Sequence, residues 1–389
     1  MTIATPLHVR RNDGLDTLRA LAIALVFMYH YMCFVSGEAS FGWASTVGWS
    51  GVDLFFVLSG YLISNQLFSG IVQGRALSLK AYYARRLLRT LPNFYVVLAL
   101  YALFPLLMGG GAMPPLWKFL TFTQNIGLLP GTAFSHAWSL CIEEQFYLLL
   151  PAVILLACKF GKTMRSAWLL LAALILAGIA TRSLLWLEYG RIADGAPQLY
   201  YPNVYYSTLC RFDELLPGVG LAMLKNFHPA AWRRALGWGN ATLAAGMSAL
   251  ALLFALIVRD YYIEDYGYGY FMSGFGYSLL ALAFAVLVLA ALSPTSCLYR
   301  LRVPGAAHVA AWSYAIYLTH KPIAAILHGL VRNGTLRPAL EMPLIVLASL
   351  AGGWLLYRLV ERPFMALRDR LYPTNFLPVV GRAGALRAA

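Results

Sequence analysis

Charged side chains are scarce in this sequence. Asp, Glu, Lys and Arg make up 12% of the 389 residues, whereas 60% of the residues are hydrophobic. Soluble domains carry about 25% charged residues, so this composition excludes an ordinary soluble fold. Apolar runs recur along the chain with lengths of about 20 residues, which is the length that crosses a bilayer as a helix. The sequence therefore predicts an integral membrane protein of the all-α class.

Cysteine is also scarce, and its spacing matches no metal site. No pair of cysteines is arranged as C-x-x-C, and each lies in or beside an apolar run. The five are Cys33, Cys141, Cys158, Cys210 and Cys297. We interpret them as small hydrophobic residues of the core. The sequence thus predicts neither a bound metal nor a disulfide framework.

The apolar runs predict a bundle of about ten transmembrane helices. They lie near residues 14–36, 50–70, 92–110, 138–158, 166–187, 208–225, 237–258, 270–292, 311–330 and 342–360. The chain shows no internal repeat and no linker long enough to start a second domain. We therefore interpret residues 1–370 as one membrane domain and residues 371–389 as a flexible cytoplasmic tail.

Basic residues are distributed unequally between the loops. With the N-terminus inside, the inner segments hold roughly 21 of the 30 Lys and Arg residues, and the outer loops hold about five. This asymmetry predicts that both termini are cytoplasmic. The net charge of +14 is therefore interpreted as a signal for membrane orientation and not for nucleic-acid binding.

Ionisable residues interrupt the apolar runs. On the first helix, Arg19 and His30 are eleven residues apart, about three helical turns, so their side chains share one face. His30 is then roughly 16 Å deeper than Arg19. An ionisable group at mid-membrane costs about 2.5–3.5 kcal/mol. We expect such groups to face one another around a polar central cavity that opens to the outside, with His30 at its floor.

Further polar candidates are predicted on other helices, most of them near the outer ends. The second helix carries Asp53 near its outer end and a Ser-Gly pair in its middle, and the fourth carries a Glu-Glu pair near its outer end. Together with Asp53, the candidates are the two pairs Ser59-Gly60 and Glu143-Glu144, and Trp138, Arg211, Asp213 and His320.

Each of these groups also has a simpler explanation. The two histidines can be packing contacts between helices, and Arg19 can be an interfacial arginine whose head reaches the lipid headgroups. The paired glutamates can cap a helix, and Asp213 can be a structural ion-pair partner of Arg211. The clustering of the acids on one side of the predicted bundle favours a functional interpretation.

The stretch "KAYYARRLLRTLP" places arginines just before the predicted third helix. Arg86 and Arg89 are one helical turn apart, and paired guanidinium groups fit phosphates in a bidentate manner. Two ligands remain possible for this pattern. One is the headgroups of membrane lipids, and the other is a cytoplasmic nucleotide-like ligand with several phosphates.

In this order and spacing, the segments resemble the acyltransferase-3 family of bacterial inner-membrane acyltransferases. The resemblance extends from residue 14 to about residue 365. It implies about ten transmembrane helices in the bacterial inner membrane. Some relatives carry a fused hydrolase-like domain after the bundle, and we expect this chain to be the stand-alone form. The segments are "LDTLRALAIALVFMYH", "GVDLFFVLSG", "RRLLR" and "HAWSLCIEEQFYLLLP", supported by "RFDELLPG" and "WSYAIYLTHKP".

The resemblance implies an O-acyltransferase. Such an enzyme moves an acyl group, most often acetyl, from cytoplasmic acyl-coenzyme A to a hydroxyl of a cell-surface or periplasmic carbohydrate or a lipid-linked glycan. Acyl-coenzyme A is then a substrate, and no cofactor is permanently bound. The implied catalytic residues are His30, Arg19 and Glu143. Those implied for the donor are Arg86, Arg89, Ser59 and Gly60, and those for the acceptor are Glu144, Trp138, Arg211, Asp213, His320 and Asp53.

Two other functions are compatible with part of the pattern. A secondary transporter or flippase for a glycan or lipid-linked substrate explains buried charges around a cavity, although the sequence lacks the inverted repeat of many such folds. A glycosyltransferase with a polyprenyl-phosphate donor needs its acids and its phosphate site on the same face. The sequence predicts the arginines inside and the acids outside, which argues against it.

Overall fold

The computed structural model describes residues 12–161, 163–192, 195–263 and 266–377. Within these ranges the regular secondary structure is helical apart from one short hairpin and one isolated β-bridge, which confirms the predicted all-α fold class. Residues 378–389 of the predicted tail lie outside the described ranges. The helices are α1 Asp13–Tyr31, α2 Trp43–Val47, α3 Gly51–Val72, α4 Leu79–Leu103, α5 Leu116–Leu120, α6 Trp138–Lys159, α7 Met164–Tyr189, α8 Ala196–Tyr200, α9 Thr208–Arg211, α10 Leu216–Phe227, α11 Pro229–Leu236, α12 Gly239–Asp260, α13 Tyr277–Leu292, α14 Cys297–Arg300, α15 Ala306–Arg332, α16 Pro338–Leu356 and α17 Arg362–Leu371.

Seven helical segments of the described residues are long and apolar enough to cross a membrane, whereas the sequence predicted about ten. Helices also lie at the other three predicted positions. Of these, α10 has only 12 residues, fewer than the roughly 20 that span a bilayer. The first turns of α4 carry one lysine and three arginines, and α15 carries one lysine and three histidines. The seven segments are Asp13–Ser36, Trp43–Val72, Ser135–Lys159, Met164–Tyr189, Gly239–Asp260, Met272–Leu292 and Pro338–Leu371.

The helix α1 is packed against several other long helices of the bundle. It packs against α3, α13 and α15, and α15 in turn packs against α16. Leu18, Ala22 and Val26 are buried along its length. This position brings the polar residues of α1 between neighbouring helices instead of toward lipid.

The helices α3 and α10 approach each other closely through glycines. A Cβ atom at Gly60 would lie 2.0 Å from the carbonyl oxygen of Leu215, and one at Gly218 would lie 2.1 Å from that of Val57. Small residues allow this backbone-to-backbone packing in membrane bundles. The sequence assigned Gly60 to donor binding. In the structure its open side is instead filled by the backbone of the segment that leads into α10.

The start of α4 differs from the prediction. The helix begins at Leu79, where the side chain of Ser78 accepts a hydrogen bond from the Ala81 N–H at 3.3 Å. This cap satisfies one of the free N–H groups at the helix end. Arg86 and Arg89 therefore lie on α4 itself, and the expectation that they precede the helix is wrong.

One end of the bundle is where α3 ends, α4 begins and α17 ends, and we call it the basic face. The Ser78 N–H donates to the carbonyl of Asn375 at 2.9 Å, which ties the start of α4 to the chain after α17. At the opposite face, β1 Tyr262–Ile263 pairs with the antiparallel strand β2 Gly267–Tyr268. Tyr268 stacks on Tyr200 there, with ring centroids 3.7 Å apart.

Candidate active site

A polar cavity of about 310 Å³ lies between α1, α3, α4, α6 and α15. All five helices contribute side chains to its wall, so the cavity exists only in the assembled bundle. We call it the Arg/Glu cavity after its charged lining residues. They are Arg19, Arg86, Arg89, Glu143 and Glu144.

Glu143 is held in this cavity by two hydroxyl groups. Its Oε2 atom accepts hydrogen bonds from the Tyr147 hydroxyl at 2.9 Å and from Ser59 Oγ at 3.2 Å. The guanidinium of Arg86 lies over the Tyr147 ring, 5.5 Å from its centroid. These contacts fix one of the two carboxylate oxygens of Glu143 at the cavity wall.

The cavity carries more positive than negative charge. Three guanidinium groups against two carboxylates leave a formal charge of +1. Arg19 Nε is buried and makes no hydrogen bond within the described part of the chain. Buried N–H groups normally have a partner, so this donor suits an oxygen atom of a ligand in the cavity.

The arginines and the glutamates were expected at opposite ends of the bundle, and this expectation is wrong. Glu143 lies about 8 Å along α6 from Trp138, and Arg89 lies about 15 Å along α4 from Leu79, at 1.5 Å per residue. Tyr82 near the start of α4 donates to the Tyr147 carbonyl of α6 at 3.0 Å, so the two helices run past each other. The charged groups meet because each lies well inside its helix.

Three histidines form a second polar group, which we call the histidine cluster. The rings of His30 of α1 and His320 of α15 are nearly parallel and meet edge to edge, with centroids 5.0 Å apart and His30 Nδ1 2.7 Å from His320 Nε2. The ring of His136 lies 6.1 Å from that of His30 and 5.5 Å from that of His320. The structure thus brings together two histidines that are 290 positions apart in sequence.

The hydrogen bonds assign the protons of this pair. His320 Nδ1 lies 2.9 Å from the Ile316 carbonyl. A carbonyl oxygen only accepts, so Nδ1 carries the proton. In a neutral ring the other nitrogen is then an acceptor, and His30 Nδ1 donates to it. His30 Nε2 is left with a free lone pair, which is the state that a general base needs.

Tyr317 lies between the cavity and the histidine cluster. It lines the Arg/Glu cavity together with Ser139, and its ring lies 5.7 Å from His136 and 6.1 Å from His320. Its hydroxyl donates to the His136 carbonyl, so Ser139 Oγ donates to Tyr317 at 2.7 Å. The expectation that His30 forms the floor of the cavity is therefore wrong, because this hydroxyl pair lies between them.

A family model described as an acyltransferase domain matches residues 12–358. The chain belongs to the acyltransferase-3 family. This result confirms the resemblance found in the sequence. No solved structure matches the chain.

Two relatives of this acyltransferase-3 chain are O-acetyltransferases by name. It is 30% identical over 336 residues to the peptidoglycan O-acetyltransferase OatA of Listeria monocytogenes, covering 80% of this chain and 49% of that protein. It is 27% identical over 376 residues to the O-acetyltransferase OatA of Staphylococcus aureus, covering 91% of this chain and 57% of that protein. The chain therefore spans about half the length of these curated relatives.

Asp213 of this acyltransferase-3 chain was expected to line a cavity, and this expectation is wrong. Its side chain is buried and pairs with Arg182 of α7 through contacts of 2.6 and 3.0 Å. Ser278 of α13 donates to the same carboxylate at 2.5 Å. Arg182 also donates to the carbonyls of Gly274 and Cys210. The group is a satisfied ion pair that joins three helical segments.

Asp53, Arg211 and Trp138 form a second buried group. Arg211 pairs with Glu214 and, at 3.3 Å, with Asp53. Its guanidinium lies 4.0 Å from the centroid of the Tyr277 ring and 5.1 Å from that of Trp138. The sequence assigned these residues to the acceptor. The structure instead buries all three residues. Arg211 is in an ion pair, but its partners are Asp53 and Glu214, so the suggested pairing of Arg211 with Asp213 is wrong.

Some buried polar residues were missed from the sequence of this family member. Arg182 interrupts the apolar run "LAGIATRSLLW", which is a signal that could have identified it. Glu361 is buried, accepts a hydrogen bond from Asn93 at 2.8 Å and has Arg89 among its charged neighbours. Tyr317 gave no signal, because a tyrosine in a membrane helix is ordinary and its partners come from α6.

Proposed function

We propose that this protein is a membrane O-acyltransferase that transfers an acyl group, in the first place acetyl, from acyl-coenzyme A to a hydroxyl of a cell-surface carbohydrate. The observation that carries the proposal is the Arg/Glu cavity beside the histidine cluster. In a chain of this family, it offers cationic groups for a phosphorylated donor and a neutral histidine for a proton. The names of the two relatives favour acetyl and a peptidoglycan-type acceptor.

The donor enters from the cytoplasm, which we place at the basic face. The cavity is lined by Arg86 and Arg89 on the part of α4 nearest that face. Charge-assisted hydrogen bonds from guanidinium to phosphate are about twice as strong as neutral ones. Both termini then lie on the cytoplasmic side of the bacterial inner membrane, and the acceptor approaches from the other side.

The chemistry needs one base and one held hydroxyl group. The acceptor oxygen attacks the thioester carbonyl carbon, a C–O bond forms, and the C–S bond breaks. The hydroxyl proton passes to His30 Nε2 and then to the leaving thiolate, which becomes the free thiol of coenzyme A. Positioning two reactants in this way supplies much of the rate. The Tyr317–Ser139 pair must open for the thioester to reach His30.

Transfer by the purified protein in lipid nanodiscs tests the proposal. We expect radiolabelled acetyl-coenzyme A to release free thiol only with a glycan acceptor, and the label to appear as an ester on that glycan. The Arg89→Ala variant should bind acetyl-coenzyme A at least about tenfold more weakly, because a charge-assisted bond contributes about 1.5–3 kcal/mol.

The matched control is Arg259→Ala. Arg259 is exposed at the end of α12 and pairs with its sequence neighbour Asp260 at 2.6 Å. This variant should bind the donor like the wild type. A protein that binds no acyl-coenzyme A, or that moves glycan across the bilayer without acylating it, would overturn the proposal in favour of a flippase.

A further inference from the structure

A second cavity, of about 370 Å³, opens at the basic face, and we call it the vestibule. It is formed by the end of α3, the loop to α4, one residue of α4 and the chain that follows α17. Gln66 lines both the vestibule and the Arg/Glu cavity, so the two spaces adjoin. The residues that line it are Asn65, Gln66, Ser69, Gly70, Gln73, Arg75, Arg85, Pro373, Thr374, Asn375 and Phe376.

The charged side chains that line the vestibule are positive. Among the described residues, its lining includes two arginines and no carboxylate, and most of the other lining residues carry amide or hydroxyl groups. Arg85 pairs with Asp369 at 3.4 Å, but the same carboxylate also holds Arg368 at 2.7 Å. One carboxylate between two guanidiniums leaves the rim positive, and Arg75 is exposed. This combination suits an anionic ligand with hydrogen-bonding groups.

The Arg/Glu cavity is less suited than the vestibule to a ligand with several phosphates. Two carboxylates share it with the three arginines, and a carboxylate repels a phosphate at short range. A donor with separated phosphate groups therefore binds more tightly if its most charged end stays in the vestibule. The narrow, moderately polar arm of such a donor can then occupy the cavity next to Glu143.

The outer wall of the vestibule is fixed by the chain after α17, although the sequence predicted a flexible tail from residue 371. The Leu377 N–H donates to the Ala76 carbonyl at 2.9 Å, and Arg85 donates to the carbonyl of Tyr372. The ring of Phe376 occupies the space over Gly70, where a Cβ atom would lie 1.8 Å from the ring. The wall is thus a built part of the fold.

We propose that the vestibule binds the phosphorylated nucleoside end of the acyl-coenzyme A donor, with Arg75 and Arg85 facing its 3′-phosphate. This inference rests on the proposed function and extends it to a part of the donor that takes no part in the chemistry. Arg86 and Arg89 then face the diphosphate, and the pantetheine arm lies in the Arg/Glu cavity. The vestibule accordingly sets the affinity for the nucleotide portion of the donor.

The test compares two thioester donors, acetyl-coenzyme A and S-acetylpantetheine, which lacks the nucleotide. Arg75→Ala should lower kcat/KM for acetyl-coenzyme A about tenfold or more, because it removes a charge-assisted contact. It should leave kcat/KM for S-acetylpantetheine unchanged. Gly70→Ala, which pushes Phe376 away, should act in the same direction. The control is Arg234→Ala, an exposed arginine of α11 outside the vestibule.

The outcomes separate the two proposals. If the wild type uses both donors and Arg75→Ala changes neither value, or changes both equally, the vestibule assignment is overturned and the proposed function stands. If the wild type uses neither thioester, the proposed function fails and the vestibule assignment fails with it. Selective loss with acetyl-coenzyme A alone supports both.

Discussion

At the residue scale, the arrangement around His30 is defined by a partner on another helix. His320 is held by the Ile316 carbonyl of its own helix and in turn accepts from His30 Nδ1. We therefore predict that His320 acts as a positioning residue, because its contact with His30 Nδ1 leaves His30 Nε2 without a proton. The spacing of Arg19 and His30 indicated a functional face of α1 but gave no information about this partner.

We predict that His30→Gln lowers the transfer rate at saturating donor and acceptor by about 10²–10⁴, the usual loss for a missing general base. The protein should still fold, because an amide retains a hydrogen bond to His320. His308→Gln is the matched control, since His308 is exposed on α15, and it should keep the wild-type rate. If His30→Gln retains more than about a tenth of the rate, His30 is a packing residue and Glu143 is the next candidate for the base.

The pairing of Arg182 with Asp213 could not be predicted from the sequence. Each was visible as a polar interruption, but pairing depends on which helices are neighbours, and spacing within one helix does not contain that information. The same limit explains why Asp53 and Arg211 were assigned to the acceptor. A buried charge must find a partner, and local sequence does not distinguish a protein partner from a ligand.

At the scale of elements, the packing of α3 on α10 depends on glycine. The positions of most helices could be predicted, because apolar runs follow directly from the need to satisfy backbone groups in lipid. The start of α4 could not be predicted from the sequence, because its first turns carry a lysine and three arginines. The capping residue Ser78 is also a weak signal. That displacement is what carried the arginines into the bundle.

We predict that Gly60→Ala lowers thermal stability in detergent. The new Cβ atom would lie 2.0 Å from the Leu215 carbonyl oxygen, so α3 and α10 must separate, and overpacking of this kind costs about 1–3 kcal/mol. Gly220→Ala on α10 is the control. Its Cβ atom would meet Leu171 at 3.4 Å, an ordinary contact, so the variant should be as stable as the wild type or slightly more stable. Equal melting temperatures for the two variants would contradict the close approach.

At the scale of the whole molecule, the distribution of basic residues predicts the orientation in the membrane. The loop after α3 lies at the basic face beside the vestibule, and the loop after α1 lies one span away, on the other side of α3. Glycines with open surroundings occur in both loops, at Gly37 and Gly74. These positions can carry a reporter without disturbing the packing.

We predict that a reporter inserted at Gly74 is cytoplasmic and that one inserted at Gly37 is on the opposite side. Alkaline phosphatase and green fluorescent protein fusions measure the two sides independently, because the first is active only outside and the second fluoresces only inside. The reverse result would place the arginines of the vestibule outside, away from any cytoplasmic donor.

The hydroxyl pair of Tyr317 and Ser139 also bears on the energy stored across the membrane. A continuous polar passage from one face of the bilayer to the other would let protons leak along their electrochemical gradient whenever no reaction takes place. Between the Arg/Glu cavity and the histidine cluster, the side chains of Tyr317 and Ser139 close that passage with one tight contact of 2.7 Å. A bundle that carries charges deep inside can therefore remain electrically insulating between turnovers.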